Sequence, residues 1–204
     1  VLPEWSDEQI RQHMSYFNYA GLLGVTIHET FPGHYVQAAY ERDLPGDVRR
    51  VFPARSFVEG WAHYAEQMVL DEGFMAEDPV VRLGQLRRAL QRHARWYASV
   101  HLHAMDEPLD DVVERFMEIA YFDEFPARRE VIRATYDPTY LYYALGRMQI
   151  IDLRNDYREH VEEQEQEFSL REFHDRLLGL GLPITLAREV LIPENEEQSR
   201  RSGR

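Results

Sequence analysis

The sequence predicts an all-α protein. Apolar residues recur at alternating steps of three and four, cap and stop residues bracket those runs, and strand signals are weak throughout. With 204 residues and 44% hydrophobic content, the chain can bury one sizeable core, and a single helical domain is expected over residues 1–192. The polar stretch ENEEQSRRSGR makes residues 193–204 an expected disordered tail.

The first helix is expected to start at Ser6-Asp7-Glu8-Gln9, which has the form of a capping box. Ile10, Met14, Phe17, Gly21, Gly24 and His28 then fall on one stripe, which places His28 on the inward face. RDLPGDVRR reads as a loop, and a second helix is expected from Ser56 to a stop at Gly73. A third, over residues 79–105, carries Leu83, Leu86, Leu90, Ala94, Tyr97 and His101 on an apolar face, with arginines on the others. LDDVVERFMEIAYF and PARREVIRATY predict two shorter helices, and TYLYYALGRMQIIDLRNDYREHVEEQE a long one. SLREFHDRLLGLG and ITLAREVL close the chain as helices split at Gly181-Leu182-Pro183.

Composition excludes several function classes. A net charge of -13 disfavours nucleic acid and anionic membranes as partners, since both reward clustered positive charge. No lysine is present, so every basic side chain other than histidine is an arginine, which reads as a coding bias. Without cysteine there are neither disulfides nor thiolate metal sites, and a bound transition metal must rely on His, Asp and Glu. No run of about 18 apolar residues predicts a membrane span, and no signal-peptide pattern is visible, so a cytoplasmic location is expected. The first residue is Val1.

The stretch HETFPGH, residues 28–34, resembles the zinc-binding H-E-x-x-H signature, but its histidines stand six apart instead of four. On a regular helix His28 and His34 would point roughly 120° apart and lie about 9 Å apart along the axis. Pro32 cannot donate the hydrogen bond that would continue the helix, and Gly33 tolerates backbone angles other residues avoid. Two readings stand: a broken turn that swings His34 round to His28, or a packed histidine followed by a helix end.

A catalytic zinc site needs a third protein ligand. In SFVEGWAHYAE, Glu59 and Glu66 lie seven apart on one face, with Ala62 between them. Ser56-x-x-Glu59 is also a capping box, which would give Glu59 a purely structural role, and Glu66 could simply pair with an arginine.

HETFPGHYVQ followed by GWAHYAE resembles a bacterial family defined only as a domain of unknown function, whose pattern is HE, PGH, Q and later GWA, Y and E. That family resembles zinc metallopeptidases of the gluzincin group, of the thimet oligopeptidase type. In those enzymes a glutamate ligand follows the second histidine by 25 residues, as Glu59 follows His34 here. The resemblance implies a helical metallopeptidase-like catalytic domain with Zn2+ held by His28, His34 and Glu59, and Glu29 as general base. It makes Glu66 the residue that orients a histidine ligand, ahead of His63 on the same helix. The departure is the six-residue histidine spacing.

The same resemblance extends to YDPTYLYY, residues 136–143, where Tyr143, with Tyr136 as the further candidate, would donate a hydrogen bond to a developing oxyanion. His103 matches a further family position, although its upstream neighbours differ from the family pattern. Arg133 and Arg154 read as partners of acids ahead of carboxylate binders. The likeness spans about residues 20–160. Because family members are longer, the chain is expected to be the C-terminal portion of that fold, with an upstream N-terminal region of the same protein as a partner.

The expected function is zinc-dependent hydrolysis of a peptide or small amide substrate by metal-activated water, with Glu29 as base. One alternative is a non-catalytic helical binding or regulatory domain derived from a peptidase fold. Another is a di-iron helical protein, for which the paired E-x-x-H motifs are missing.

Overall fold

The computed structural model describes residues 1–193. Among these residues every regular element is helical and there is no strand. The expected tail, from residue 194 on, lies outside the described residues.

Helix α1 (Asp7–Tyr16) starts on the predicted capping box: Gln9 N–H donates to Ser6 Oγ, and Ser6 N–H donates to Gln9 Oε1. The expected single helix through His28 is in fact two. Asn18 leaves the helical path and caps a new helix, α2 (Tyr19–Glu29), by accepting from Gly21 N–H at 2.9 Å. A polar residue that bonds backbone donors thus overrides a continuous apolar stripe, but His28 still faces inward and is 4% exposed.

Helix α3 (His34–Glu41) follows after four residues, and the expected loop RDLPGDVRR contains a short helix, α4 (Asp47–Val51). Helix α5 (Arg55–Asp71) begins at Ala54, which makes no side-chain cap. Ser56 therefore sits within the helix, and the expected Ser56–Glu59 capping box does not form. Glu59 is left free to face the interior.

Helix α6 (Pro79–Ala104) is capped by Asp78 and inverts the expected faces over its leucines, while Ala94 on the same stripe stays buried. Leu83, Leu86 and Leu90 are 66%, 50% and 36% exposed, whereas Gln85, Arg88, Gln91 and Arg92 are buried. A buried carboxylate on α5 is the physical reason: it needs guanidinium partners, and α6 turns its arginines inward to supply them.

Helices α7 (Leu109–Ala120) and α8 (Glu124–Tyr136) match expectation. The long helix opens with a tight turn over Pro138–Leu141 before α9 (Tyr142–Glu163). Helices α10 (Leu170–Leu180) and α11 (Ile184–Leu191) close the described chain on either side of Gly181.

Two large apolar cores, and a small one at Ile27, Leu70 and Val81, organise these helices. One joins α5, α9, α10 and α11 through Trp61, Ile150, Leu153, Phe173, Leu177 and Leu191. The other joins α6, α7 and α8 through Ala94, Val112, Phe116 and Val131, with Tyr140 and Tyr143 closing it. Helices α5 and α9 cross with their backbones in contact at Gly60 and Gly146, where a Cβ on Gly146 would fall 1.8 Å from the Ser56 carbonyl oxygen. That close crossing carries Tyr143, one turn before Gly146, toward Glu59.

Candidate metal centre

The HETFPGH segment breaks completely. Helix α2 ends at Glu29, a turn that contains a cis Phe31–Pro32 bond follows, and α3 begins at His34. Gly33 N–H donates back to the Ile27 carbonyl at 3.0 Å, and a Cβ at Gly33 would lie 1.8 Å from the His28 carbonyl oxygen. Only a residue without a side chain fits that approach. The turn is tied to α5 by Trp61 Nε1, which donates to the Pro32 carbonyl at 3.0 Å.

The two imidazoles, which a regular helix would splay apart, stand edge to face with ring centroids 4.7 Å apart. Glu59 meets both from α5, its Oε2 lying 3.8 Å from His28 Nε2 and 3.5 Å from His34 Nε2. One donor atom from each residue lies within 4.8 Å of the others. Tetrahedral zinc with bonds of about 2.0–2.1 Å would hold its ligand atoms roughly 3.3–3.5 Å apart, so the cluster has the dimensions of a metal site.

Hydrogen bonding shows which lone pairs face the centre. Glu66 Oε1 lies 2.8 Å from His28 Nδ1, and a carboxylate in this position accepts, so Nδ1 carries the proton and Nε2 presents its lone pair to Glu59. His34 Nδ1 lies 3.5 Å from Gln37 Oε1, while the Gln37 amide donates to Glu41 Oε1 at 2.7 Å. That orients His34 Nε2 the same way. Glu59 Oε2 is buried without a hydrogen-bond partner. Three acceptors aimed at one point, one of them an orphaned buried carboxylate oxygen, fit a cation.

The field of the cluster follows from burial and charge. Burial by itself would raise the Glu59 carboxyl, but the two imidazoles outweigh it and hold Glu59 well below the usual carboxylate range. Burial would lower His34; the Glu59 carboxylate overcomes it and keeps this imidazole above its ordinary value. Glu66, 1% exposed, is held far down by Arg92 and Arg88 against its own desolvation.

Glu66 is the hub beneath the site. It accepts from Arg88 Nε and Nη2, each at 3.2 Å, and from Arg92 Nη2 at 2.8 Å. His63 is buried 3.8 Å from Glu66 Oε2, and neither ring nitrogen has a hydrogen-bond partner; burial pushes its imidazole down to about 4. Its place beside Glu66 puts it two contacts from the cluster.

Glu29, beside His28 at the end of α2, is exposed and near enough to His34 to influence it electrostatically. Tyr143 is 7% exposed; its ring stacks on that of His28 at 6.2 Å, and its hydroxyl feels the Glu59 charge. Two other candidates lie on helix ends. Tyr136 ends α8 with 73% exposure, separated from Tyr143 by the turn at Asp137–Pro138. His103 lies on the exposed end of α6, where its Nε2 bonds the Ala134 carbonyl at 2.8 Å. Among the described residues no hydrogen bond joins either to the His28–His34–Glu59 cluster.

Sequence reasoning missed Gln37, Arg88 and Arg92. Gln37 stands one turn after His34 and could have been read as its orienting partner. The two arginines were hidden because buried guanidinium groups are rare and the leucines on α6 offered a more ordinary inward face.

Residues 4–191 match the family described as "Bacterial protein of unknown function (DUF885)", and the chain belongs to that family. No curated protein matches it. Two solved structures share the fold. One, from Colwellia psychrerythraea and described as a "putative lipoprotein", is 29% identical over 87% of this chain and 31% of its own, with a TM-score of 0.79. The other, from Shewanella oneidensis, carries the same description with unknown function; it is 26% identical over 94% of this chain and 35% of its own, with a TM-score of 0.82. The chain thus spans about a third of the length of these relatives. Their description as lipoproteins overturns the expected cytoplasmic location.

Proposed function

We propose that this chain is a metal-binding helical domain, that its ion is Zn2+, and that it hydrolyses peptide or amide bonds as the metal-bearing part of a larger protein. The convergence of His28 Nε2, His34 Nε2 and the unpartnered Glu59 Oε2 carries the reading. Zinc in such a His2Glu set supplies Lewis acidity toward a carbonyl oxygen and a water molecule. Glu29, exposed and next to His28, accepts the proton of the attacking water. Tyr143 donates to the oxygen on which negative charge develops, and burial keeps its phenol protonated above its ordinary range. Glu66 and Gln37 hold the two imidazoles in the required tautomer. The resemblance to gluzincin peptidases agrees with the roles of His28, His34, Glu59, Glu29, Tyr143 and Glu66. The lipoprotein relatives support an envelope location for the whole protein.

A second reading is a non-catalytic binding domain that keeps the metal cluster as a structural clasp. Two observations favour it: the family and both solved relatives carry no assigned reaction, and the cluster joins α2, α3 and α5 as a structural metal would. Metal analysis with Glu29→Gln separates the readings. For the hydrolase, the parent protein holds one zinc and cleaves peptides, while Glu29→Gln holds zinc and does not turn over. For the clasp, zinc is held, its removal lowers stability, and the parent shows no cleavage. A protein that takes up no zinc refutes both.

A further inference from the structure

Asp137, in the turn ahead of Tyr143, is shared by two arginines from different helices. Arg55 Nη2 on α5 lies 3.5 Å from Asp137 Oδ2, and Arg133 Nη2 on α8 lies 3.6 Å from the same oxygen. The other oxygen, Oδ1, is taken by Thr139, through its N–H at 3.3 Å and its hydroxyl at 2.5 Å. One carboxylate oxygen therefore faces two guanidinium groups at distances longer than hydrogen bonds, and the arginine side chains are 47% and 44% exposed. Each arginine has five N–H donors, so this pair offers more donors than Asp137 can occupy.

Its place ties it to the metal cluster. Arg55 is one helical turn before Glu59 on the same face of α5, about 6 Å along the axis. Arg133 packs over the Tyr140 ring at 4.9 Å, and its charge reaches Tyr143, as do those of Arg92 and Arg95. Arg95 is already held by a two-point contact with Glu130, and Arg92 by Glu66. Arg55 and Arg133 are the exposed members of this group, and they stand out in a chain of net charge -13.

We propose that Arg55 and Arg133 form an anion subsite that selects substrates with a free C-terminal carboxylate one or two residues beyond the scissile bond. The inference rests on the hydrolase reading and names the substrate class: short peptides or N-acyl amino acids cut near the C-terminus. An extended residue spans about 3.3–3.6 Å, so the offset of about 6 Å between Arg55 and Glu59 corresponds to nearly two residues along a substrate. Planar guanidinium forks match a carboxylate in geometry as well as charge.

The test uses the full chain carrying Glu29→Gln and loaded with zinc, so that bound peptide is not consumed. Calorimetry compares an acetylated tripeptide as free acid with the same tripeptide as C-terminal amide. The free acid is expected to bind about tenfold tighter or more. Combining Arg55→Gln with Arg133→Gln is expected to bring the two ligands within about twofold of each other, with zinc content and helical circular dichroism unchanged. That variant excludes direct carboxylate binding to the metal as the source of the preference. Equal affinities in the parent, no binding of either peptide, or a preference that survives both substitutions would each overturn the subsite. Zinc content and cleavage by the protein with Glu29 intact are read separately. A zinc protein that cleaves acid and amide alike loses only the subsite; one without zinc or cleavage loses the hydrolase reading.

Discussion

Glu66 Oε1 sits 2.8 Å from His28 Nδ1, and the same carboxylate takes Arg88 and Arg92 from α6. This contact fixes the tautomer of His28, and through the arginines it also fixes α5 against α6. Site geometry and helix packing therefore share one buried charge, and removing that charge should disturb both.

Glu66→Gln should preserve shape while weakening the orientation of His28, so zinc affinity is expected to fall about 10–100-fold. Glu66→Ala should do more. It leaves two buried guanidinium groups facing an empty place, with a cost of about 3–5 kcal/mol in unfolding free energy. Zinc titration and urea unfolding measure the two effects. Unchanged affinity in Glu66→Gln would show that His28 needs no charged partner.

Gly33 tests the turn itself. A methyl group there meets the His28 carbonyl oxygen at 1.8 Å, so Gly33→Ala must push α2 and α3 apart, at about 1–3 kcal/mol, and should abolish zinc binding. Gly179 in α10 is the control, because a Cβ at that position would meet nothing within 4 Å. Gly179→Ala should raise stability by about 0.5–1 kcal/mol and leave zinc binding unchanged. Thermal unfolding and metal analysis of both variants decide the point.

The fold was largely legible because periodicity, caps and glycine stops report local physics, and most helix boundaries follow from them. Two failures came from polar side chains, one local and one acting from another helix. Asn18 bonds the backbone and splits a helix whose apolar stripe is otherwise continuous. On α6, the demand of Glu66 for Arg88 and Arg92 outranks the leucine stripe, and no reading of α6 alone reveals a demand that originates on α5. The convergence of His28, His34 and Glu59 was legible in its residue types, and Pro32 and Gly33 signalled the break. The exposure of Tyr136 and the His103 contact with the Ala134 carbonyl were not legible, because matched sequence positions carry no information on which way a helix end points.

Acid sensitivity should come from buried neutral histidines. His174 on α10 is pushed down to about 4, first by burial and then by Arg154, and its Nε2 lies 2.9 Å from the Tyr64 hydroxyl. An unfolded imidazole takes its proton near about 6.5. Between the two values the unfolded chain holds the extra proton, so the contribution is complete above about 6.5 and is lost as pH falls toward about 4. Each such proton is worth about 1.4 kcal/mol per pH unit, and His63 adds a second of the same sign. His174→Gln should flatten the fall in urea-unfolding free energy between about pH 6.5 and 5 by about one proton. His34 acts in the opposite sense in both proteins and cancels in the comparison. An unaltered slope would remove His174 from the account.

Tyr143 offers the sharpest separation of chemistry from structure. Its ring packs against His28 and the Arg92 and Arg95 guanidinium groups, contacts that phenylalanine reproduces, whereas its hydroxyl feels the Glu59 charge. Among the described residues that hydroxyl makes no hydrogen bond, so it is free to donate to a substrate oxygen. Tyr143→Phe should keep zinc, stay within about 1 kcal/mol of the parent in stability, and lose about 10²-fold in kcat with little change in KM. The split matters because a group that binds only the substrate ground state would raise KM and spare kcat. A variant with full kcat would exclude the hydroxyl from oxyanion stabilisation and leave Tyr143 as a packing residue against His28.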